Sequence, residues 1–216
     1  ERTLVEVALA DPGADTDSLR GTCRRVLAAS ERQERLIEAL LTLARSQRGL
    51  ESRRQLDLAA VAGEALLNVR PSGIRVESDL GQAISIGDPD LVERLIGNLI
   101  DNALRYNSSS DGWLSVWTGV RAGLPTVLVS NTGPIVTSDE AGTLTEPFRR
   151  LNGTRTDGRG SGLGLSIVAA IASAHGGVMS VTARPQGGLD VEVSFPALPV
   201  ELESGVRLSA DVAHHS

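Results

Sequence analysis

The sequence predicts an α+β fold, a two-layer α/β sandwich preceded by a helical hairpin. Three observations carry this. Between residues 19 and 47 apolar and small polar positions recur at alternating spacings of four and three, the pattern of a bundle or coiled-coil seam. From residue 57 onward, helical periodicity alternates with short β-branched runs and closes on a hairpin pattern. A glycine-rich run, Gly158-Arg159-Gly160-Ser161-Gly162-Leu163-Gly164, follows a polar loop and opens a helical segment. Helices mixed with strands in this way bury their apolar stripes on one face of a sheet.

Residues 1–10 read as the end of a helix, and Asp11-Pro12-Gly13-Ala14-Asp15 as a turn. Thr16 or Asp17 caps a second helix running to about residue 48. Its seam is Leu19, Cys23, Val26, Ser30, Gln33, Ile37, Leu40, Ala44 and Gln47, widened by Leu27, Leu36, Leu41 and Leu43. A hairpin this apolar cannot stand alone in water. Residues 1–50 are therefore expected to pair with a second copy in a four-helix bundle, a homodimer; packing of the hairpin on its own domain is the alternative. Residues 49–55 read as a linker, and 57–69 as an amphipathic helix. Strands are expected near 74–78 and 83–86. Asp88-Pro89-Asp90 starts the next helix, over 91–106, with Pro early, where its missing N–H is harmless. Strands follow at 113–120 and 126–130. Residues 131–160 lack strong periodicity, helix returns at 161–174, and His175-Gly176-Gly177 ends it. A final hairpin, 178–183 and 189–195, turns at Pro185-Gln186-Gly187-Gly188. The boundaries are then 1–50 for the hairpin, 51–198 for the sandwich and 199–216 for a tail low in order signals.

Composition narrows the function classes. The chain is 41% apolar but only 2% aromatic, so its core must rest on Leu, Val, Ile and Ala. Its net charge of −6 argues against a direct nucleic-acid partner, which would need a basic face. There is no lysine, which removes the residue a Walker-type phosphate loop requires. The single cysteine, Cys23, cannot staple the fold, and its place on an apolar stripe reads as core rather than nucleophile. No apolar run approaches the roughly 18 residues that cross a bilayer. Residue 1 is Glu and opens on a polar helical pattern, which reads as a fragment or processed chain.

Four segments could carry chemistry. In the glycine run, Gly160, Gly162 and Gly164 let a ligand approach the backbone, and a helix starting at Ser161 points free N–H groups and its positive dipole end there, a phosphate site. Such helix starts also serve simple close packing. Asn98 and Asn102 stand four apart on one helix face. An amide oxygen can ligate Mg²⁺ when phosphates and waters complete the octahedron. One turn on, Arg105 can reach a phosphate and Tyr106 can cover a base or sugar. Two surface asparagines are the plain alternative. At the end of a strand, Asn131-Thr132-Gly133-Pro134 offers a polar side chain to a ligand at the sheet edge, or is turn punctuation. Glu146-Pro147-Phe148-Arg149-Arg150 sets one of two Phe residues beside two arginines, either to anchor a mobile loop or as a satellite apolar contact.

Taken in order, these segments resemble the sensor histidine kinases of two-component systems, whose ATP-binding domain is shared with gyrase, chaperone and mismatch-repair ATPases. The N box looks like Asn98-Leu99-Ile100-Asp101-Asn102-Ala103-Leu104-Arg105-Tyr106, and the first glycine box like Asn131-Thr132-Gly133-Pro134. The F box looks like Glu146 to Arg150. The second glycine box looks like Gly160-Ser161-Gly162-Leu163-Gly164-Leu165 and the residues after it.

The resemblance implies ATP and Mg²⁺ as cofactors, with Asn102 on the metal, Asn98 beside it, and Arg105 and Tyr106 on the nucleotide; Asn98, Asn102 and Arg105 would be the catalytic set. Asn131 would face the adenine amino group, followed by Gly133. Residues 135–158 would form a lid, with Phe148, Arg150 and Arg159 near the nucleotide, and Gly160, Ser161, Gly162, Leu163, Gly164 and Leu165 would hold the phosphates. A response-regulator receiver domain is the implied partner, and the cytoplasmic portion of a bacterial inner-membrane protein the implied location. This chain departs from the pattern in three places. Asn131 stands where the family usually has Asp, and Pro134-Ile135 replace the box's second glycine. The third concerns the phosphoacceptor, a His on the first bundle helix: the only histidines here are His175, His214 and His215. The expectation is a catalytic fragment truncated past that His; a degenerate kinase acting as a dimeric scaffold is the alternative.

Overall fold

A computed structural model describes residues 15–27, 30, 53–69, 73–108, 111–146 and 162–197. Along the chain run β1 (Arg54–Asp57), α1 (Leu58–Leu67), β2 (Arg75–Leu80), β3 (Ile84–Gly87), α2 (Pro89–Arg105), β4 (Trp113–Arg121), β5 (Leu124–Asn131), α3 (Ser138–Thr143), α4 (Gly164–Ala174), β6 (Val178–Ala183) and β7 (Leu189–Ser194). Five strands form one mixed sheet in the order β2-β4-β5-β7-β6; only the β2–β4 pairing is parallel. β1 and β3 form a separate antiparallel pair. Helices α1, α2 and α4 pack on one face of the five-stranded sheet. The architecture is the α+β two-layer sandwich that the sequence predicts.

The core lies between these layers. α2 turns Leu91, Val92, Leu95, Ile96, Leu99, Ile100 and Ala103 inward against Leu114 and Val116 of β4, Val127 and Val129 of β5, and Val168 and Ile171 of α4. Aliphatic side chains dominate as the composition requires, with Phe195 the aromatic member. The other sheet face carries Trp113 and Trp117, four residues apart on β4 and so on the same side. Arg184 lies over Trp113 and Arg121 over Trp117, with guanidinium-to-ring distances of 4.8 Å and 4.7 Å. Each arginine also pairs with an acid of β7, Arg184 with Asp190 and Arg121 with Glu192. Over β4 and β7 that face is thus partly covered by its own side chains.

Caps fix the helix positions. Asp57 accepts from the N–H of Ala59 at 3.0 Å and of Ala83 at 2.9 Å, holding the start of α1 to the β2–β3 connection. Asp88 caps α2 through the N–H groups of Asp90 and Leu91, with Pro89 in the first turn as expected. α4 ends at Gly176, whose φ of +69° is the left-handed cap its sequence predicts.

Four expectations need correction. Residues 54–57, read partly as linker, form β1: their pairing with β3 is a tertiary contact without a local signal. The stretch 131–160 contains α3, held by a capping box in which Thr137 and Glu140 bond reciprocally. Six residues are too few to show a period, but the Thr137-to-Glu140 spacing was the available signal. The helix expected from Ser161 begins at Gly164, because Gly162 takes a φ of +70°, outside the helical region. Cys23, read as core, is exposed on the helical stretch 16–27, where Thr22 is the buried residue. The rest of the expected hairpin, residues 1–14, 28–29 and 31–50, together with residues 51–52 and the tail beyond 197, lie outside the described residues.

Candidate functional site

Asn98, Asn102 and Tyr106 stand on successive turns of one stripe of α2 and its C-cap, along the edge of the stripe that fills the core; Asn98 and Asn102 are half-buried and Tyr106 is exposed. From Asn98 to Tyr106 the stripe spans about 12 Å at the helical rise. Asn98 donates one Nδ2 proton to the carbonyl of Arg94 at 2.8 Å, which fixes the amide and leaves Oδ1 outward, toward Gly164. The amide of Asn102 makes no hydrogen bond among the described residues. Arg105, exposed in the last helical turn, puts a cation at the negative end of the helix dipole.

The Tyr106 end of the stripe meets the end of β5. Asn131 sits there between Leu114 of β4 and Leu189 of β7 and is 4% exposed. Its Nδ2 donates to the Thr132 carbonyl at 2.7 Å. A flipped amide would set Oδ1 against that carbonyl, so this bond fixes the orientation. Oδ1 is left as a buried acceptor with no donor among the described residues. A buried polar atom of that kind calls for a partner, and a ligand amino group fits it. The carboxylate the family usually carries could not make the Thr132 bond.

Backbone packing closes this end. A Cβ on Gly133 would lie 2.6 Å from the Tyr106 carbonyl oxygen, and one on Gly188 would lie 1.9 Å from that of Asn131. The β6–β7 turn, with Gly187 and Gly188 at φ of +94° and +91°, is pressed onto the strand end, and Gly188 N–H donates to the Pro134 carbonyl at 2.9 Å.

The Asn98 end meets the start of α4. Leu163 precedes the helix and supplies no side-chain cap, so the first helical N–H groups have no protein acceptor from it. Leu163 and Leu165 are buried at 2% and 6%, members of the core, which leaves only their backbone for a ligand. Gly164 has an ordinary φ, and a Cβ there would meet nothing closer than Asn98 Oδ1 at 3.9 Å. Among the described residues nothing requires glycine at this position. Phe148, Arg150, Arg159, Gly160 and Ser161 lie outside the described residues.

Three contributors were not singled out from sequence. Asn107 and Thr132 bond each other at 2.6 Å and brace the strand end; as turn-type residues at segment ends they carried no distinguishing signal. His175, read only as part of a helix end, is buried. Its Nδ1 bonds the Ile171 carbonyl at 2.8 Å and its Nε2 accepts the Asp88 N–H at 3.0 Å, so the end of α4 is tied to the start of α2. Desolvation holds the His175 pKa below the ordinary imidazole value, against the raising influence of the Ile171 bond and the Asp88 charge. In α3, the Thr137 N–H and hydroxyl hold the Glu140 carboxyl below the usual carboxylate range.

Among the described residues no group of His, Cys, Asp and Glu could hold a metal alone. A cation here would need ligand oxygens beside an amide such as that of Asn102. No described helix is long and apolar enough to cross a membrane.

Comparison with known proteins agrees with this geometry. Residues 87–199 match the family described as histidine kinase-, DNA gyrase B- and HSP90-like ATPase. The Sensor protein CutS of Streptomyces coelicolor is 44% identical over 200 residues, covering 90% of this chain and 48% of CutS; the chain thus spans about half the length of that relative. The solved structure of the mycobacterial sensor histidine kinase MprB is 27% identical and superimposes with a TM-score of 0.61, covering 68% of this chain and 99% of that one. The Acinetobacter baumannii histidine kinase AdeS, 21% identical, shares the fold with a TM-score of 0.65 over 92% of this chain and 97% of its own. The chain belongs to the histidine kinase-, DNA gyrase B- and HSP90-like ATPase family and carries its ATPase domain in the form found in sensor histidine kinases.

Proposed function

We propose that this chain is the nucleotide-binding catalytic part of a sensor histidine kinase, binding Mg-ATP along the Asn98–Asn102–Tyr106 stripe. One observation carries the reading: a single helix face connects Gly164, where no described residue requires glycine, to Asn131 Oδ1, a buried acceptor with no donor among the described residues. A stripe of that length suits a ligand with an amino-bearing base at one end and phosphates at the other.

In this reading Asn131 Oδ1 accepts from the adenine amino group, beside Gly133, and Tyr106 lies against the base or sugar. Asn102 ligates Mg²⁺ with Asn98 beside it. Arg105, with Arg150, Arg159 and Phe148 of the lid, closes on the nucleotide. Gly160, Ser161, Gly162, Leu163, Gly164 and Leu165 offer backbone N–H groups to the phosphates. The bound metal supplies charge neutralisation at the phosphate oxygens. The protein's own contribution to γ-phosphoryl transfer is positioning and electrostatic stabilisation. In the whole protein the acceptor is a His on a bundle helix, then an Asp on a response-regulator receiver domain. Homodimerisation through residues 1–50 and attachment to a bacterial inner membrane complete the reading. No His stands within residues 1–174, so this chain binds nucleotide without phosphorylating a His of its own bundle segment.

Calorimetry with Mg-ADP tests the proposal. The chain binds, the affinity depends on Mg²⁺, and Asn102→Ala lowers it by about tenfold or more, the loss of one charge-assisted ligand. No binding at millimolar nucleotide overturns it. That result would favour a second reading, a dimeric scaffold that docks a regulator, which the neutral Asn131 in place of an acid supports.

A further inference from the structure

We propose that Asn107 is a positioning residue that, through Thr132, sets the spacing between α2, the helix that carries Asn102, and the strand end that carries Asn131. The inference rests on the nucleotide-binding reading above.

Asn107 lies just past the end of α2 and uses its whole hydrogen-bonding capacity. Nδ2 donates to the Ala103 carbonyl at 3.2 Å and to the Trp113 carbonyl at 2.9 Å. Oδ1 accepts from the Ser108 N–H at 2.9 Å and from the Thr132 hydroxyl at 2.6 Å. Two donors and two acceptor positions are all a side-chain amide offers. Asp lacks the donors, and Ala lacks everything.

Thr132 completes the joint. Its hydroxyl accepts the Trp113 N–H at 2.9 Å, and its own N–H donates to the Trp113 carbonyl at 3.1 Å. The hydroxyl proton has one short acceptor, Asn107 Oδ1, against 3.3 Å to the Trp113 carbonyl. Three elements, α2, β4 and β5, therefore meet on one amide and one hydroxyl. Space for the amide comes from Gly112, where a Cβ would lie 2.5 Å from Asn107 Oδ1.

Sequence order gives the joint its consequence. Tyr106 immediately precedes Asn107, and Asn131 immediately precedes Thr132. The bonded pair fixes the residue before each partner, one on the helix that carries Asn102 and one on the strand end that offers the acceptor. A ligand that touches both must find them at a set distance. With the joint broken, helix and strand end still bind their own parts of the ligand, and the gain from binding both together falls.

The test titrates the full chain with Mg-ADP and with adenosine. The variants are Thr132→Val, which keeps the shape and removes the hydroxyl, Thr132→Ser, which restores it, Asn107→Ala, and Asn107→Ala with Thr132→Val. We expect Thr132→Val to lose about tenfold in Mg-ADP affinity, the worth of one or two buried hydrogen bonds, while adenosine loses much less. Thr132→Ser returns most of the loss, and the double variant binds no worse than Asn107→Ala. Equal losses for Mg-ADP and adenosine, or an unchanged Mg-ADP affinity in Thr132→Val, overturn the inference. If Asn107→Ala does not fold, the Val and Ser pair at 132 decides. If the unsubstituted chain binds neither ligand, the nucleotide reading has failed, and the inference falls with it.

Discussion

At the Tyr106 end of the candidate site the structure is braced from several directions. Asn107, Thr132 and Trp113 share hydrogen bonds across α2, β4 and β5, and the Gly187-Gly188 turn lies on the strand end in backbone contact. At the Asn98 end, α4 begins on Leu163 with no side-chain cap and on a glycine that meets only Asn98 among the described residues. The braced end presents one fixed acceptor and suits recognition of a rigid group. The bare end presents backbone N–H groups that no described side chain caps, which suits phosphates and a loop that closes over them. Stability is concentrated in one end and ligand-accessible backbone in the other, so substitutions at the two should separate stability from binding.

The largest effect is expected where the braced end admits no extra atom. Gly188→Ala must hold a φ of +91° and place its Cβ 1.9 Å from the Asn131 carbonyl oxygen. Strain and overpacking together cost about 3 kcal/mol or more. Gly123→Ala is the internal control, since it carries a similar φ of +80° in the β4–β5 turn with nothing within 4 Å. It should lose only about 1 kcal/mol, the conformational cost alone. Denaturant unfolding of the two variants measures the difference; equal losses would mean that the close packing of the turn on the strand end contributes nothing.

The bare end should behave in the opposite way. Gly164→Ala adds a methyl at an ordinary helical φ, in van der Waals contact with Asn98 alone among the described residues. Stability should hold or rise by up to about 1 kcal/mol from helix propensity and reduced unfolded-chain entropy. Mg-ADP affinity should fall by about tenfold, because the methyl occupies the approach to the helix N-terminus. A variant both stable and fully competent to bind would show that the glycine serves neither the fold nor the ligand.

This contrast also explains what was legible in the sequence. The bare end is written locally: glycines, a helix period and an asparagine pair four residues apart all fall within single segments, and the sheet strands follow from alternation. The braced end is written across segments. Asn107, Thr132 and Gly188 are 25 and 56 residues apart along the chain. Each is an ordinary turn residue until the sheet order β4-β5-β7 brings them together. The same holds for β1, whose only reason to be extended is β3, and for the pairing of His175 with Asp88, 87 residues apart. Even the misjudged start of α4 has this origin: the pattern of apolar residues marks the helix, but the left-handed Gly162 sets its first turn.

The smallest effect is expected at the far end of α4, where His175 ties the helix to the start of α2. The imidazole donates from Nδ1 to the Ile171 carbonyl and accepts the Asp88 N–H at Nε2, which requires the neutral ring. The charged groups near it are Asp88, whose charge favours protonation, and Arg53, whose charge opposes it; Phe195 adds an apolar edge. Burial dominates and holds the folded-state pKa below the unfolded value of about 6.5. In that window the unfolded chain binds more protons than the folded one, so stability falls as pH drops below about 6.5 and is fully present above it. A protonated Nε2 would also point a second donor at the Asp88 N–H. Thermal melts from pH 7.5 to 5 should therefore show a declining Tm, with a shallower decline in His175→Gln, which cannot titrate. The glycine end of α4 contributes no titrating side chain among the described residues, so Gly164→Ala should leave the pH slope unchanged. A slope that survived His175→Gln undiminished would assign the acid sensitivity to another group and leave α4 without its titratable tie to α2.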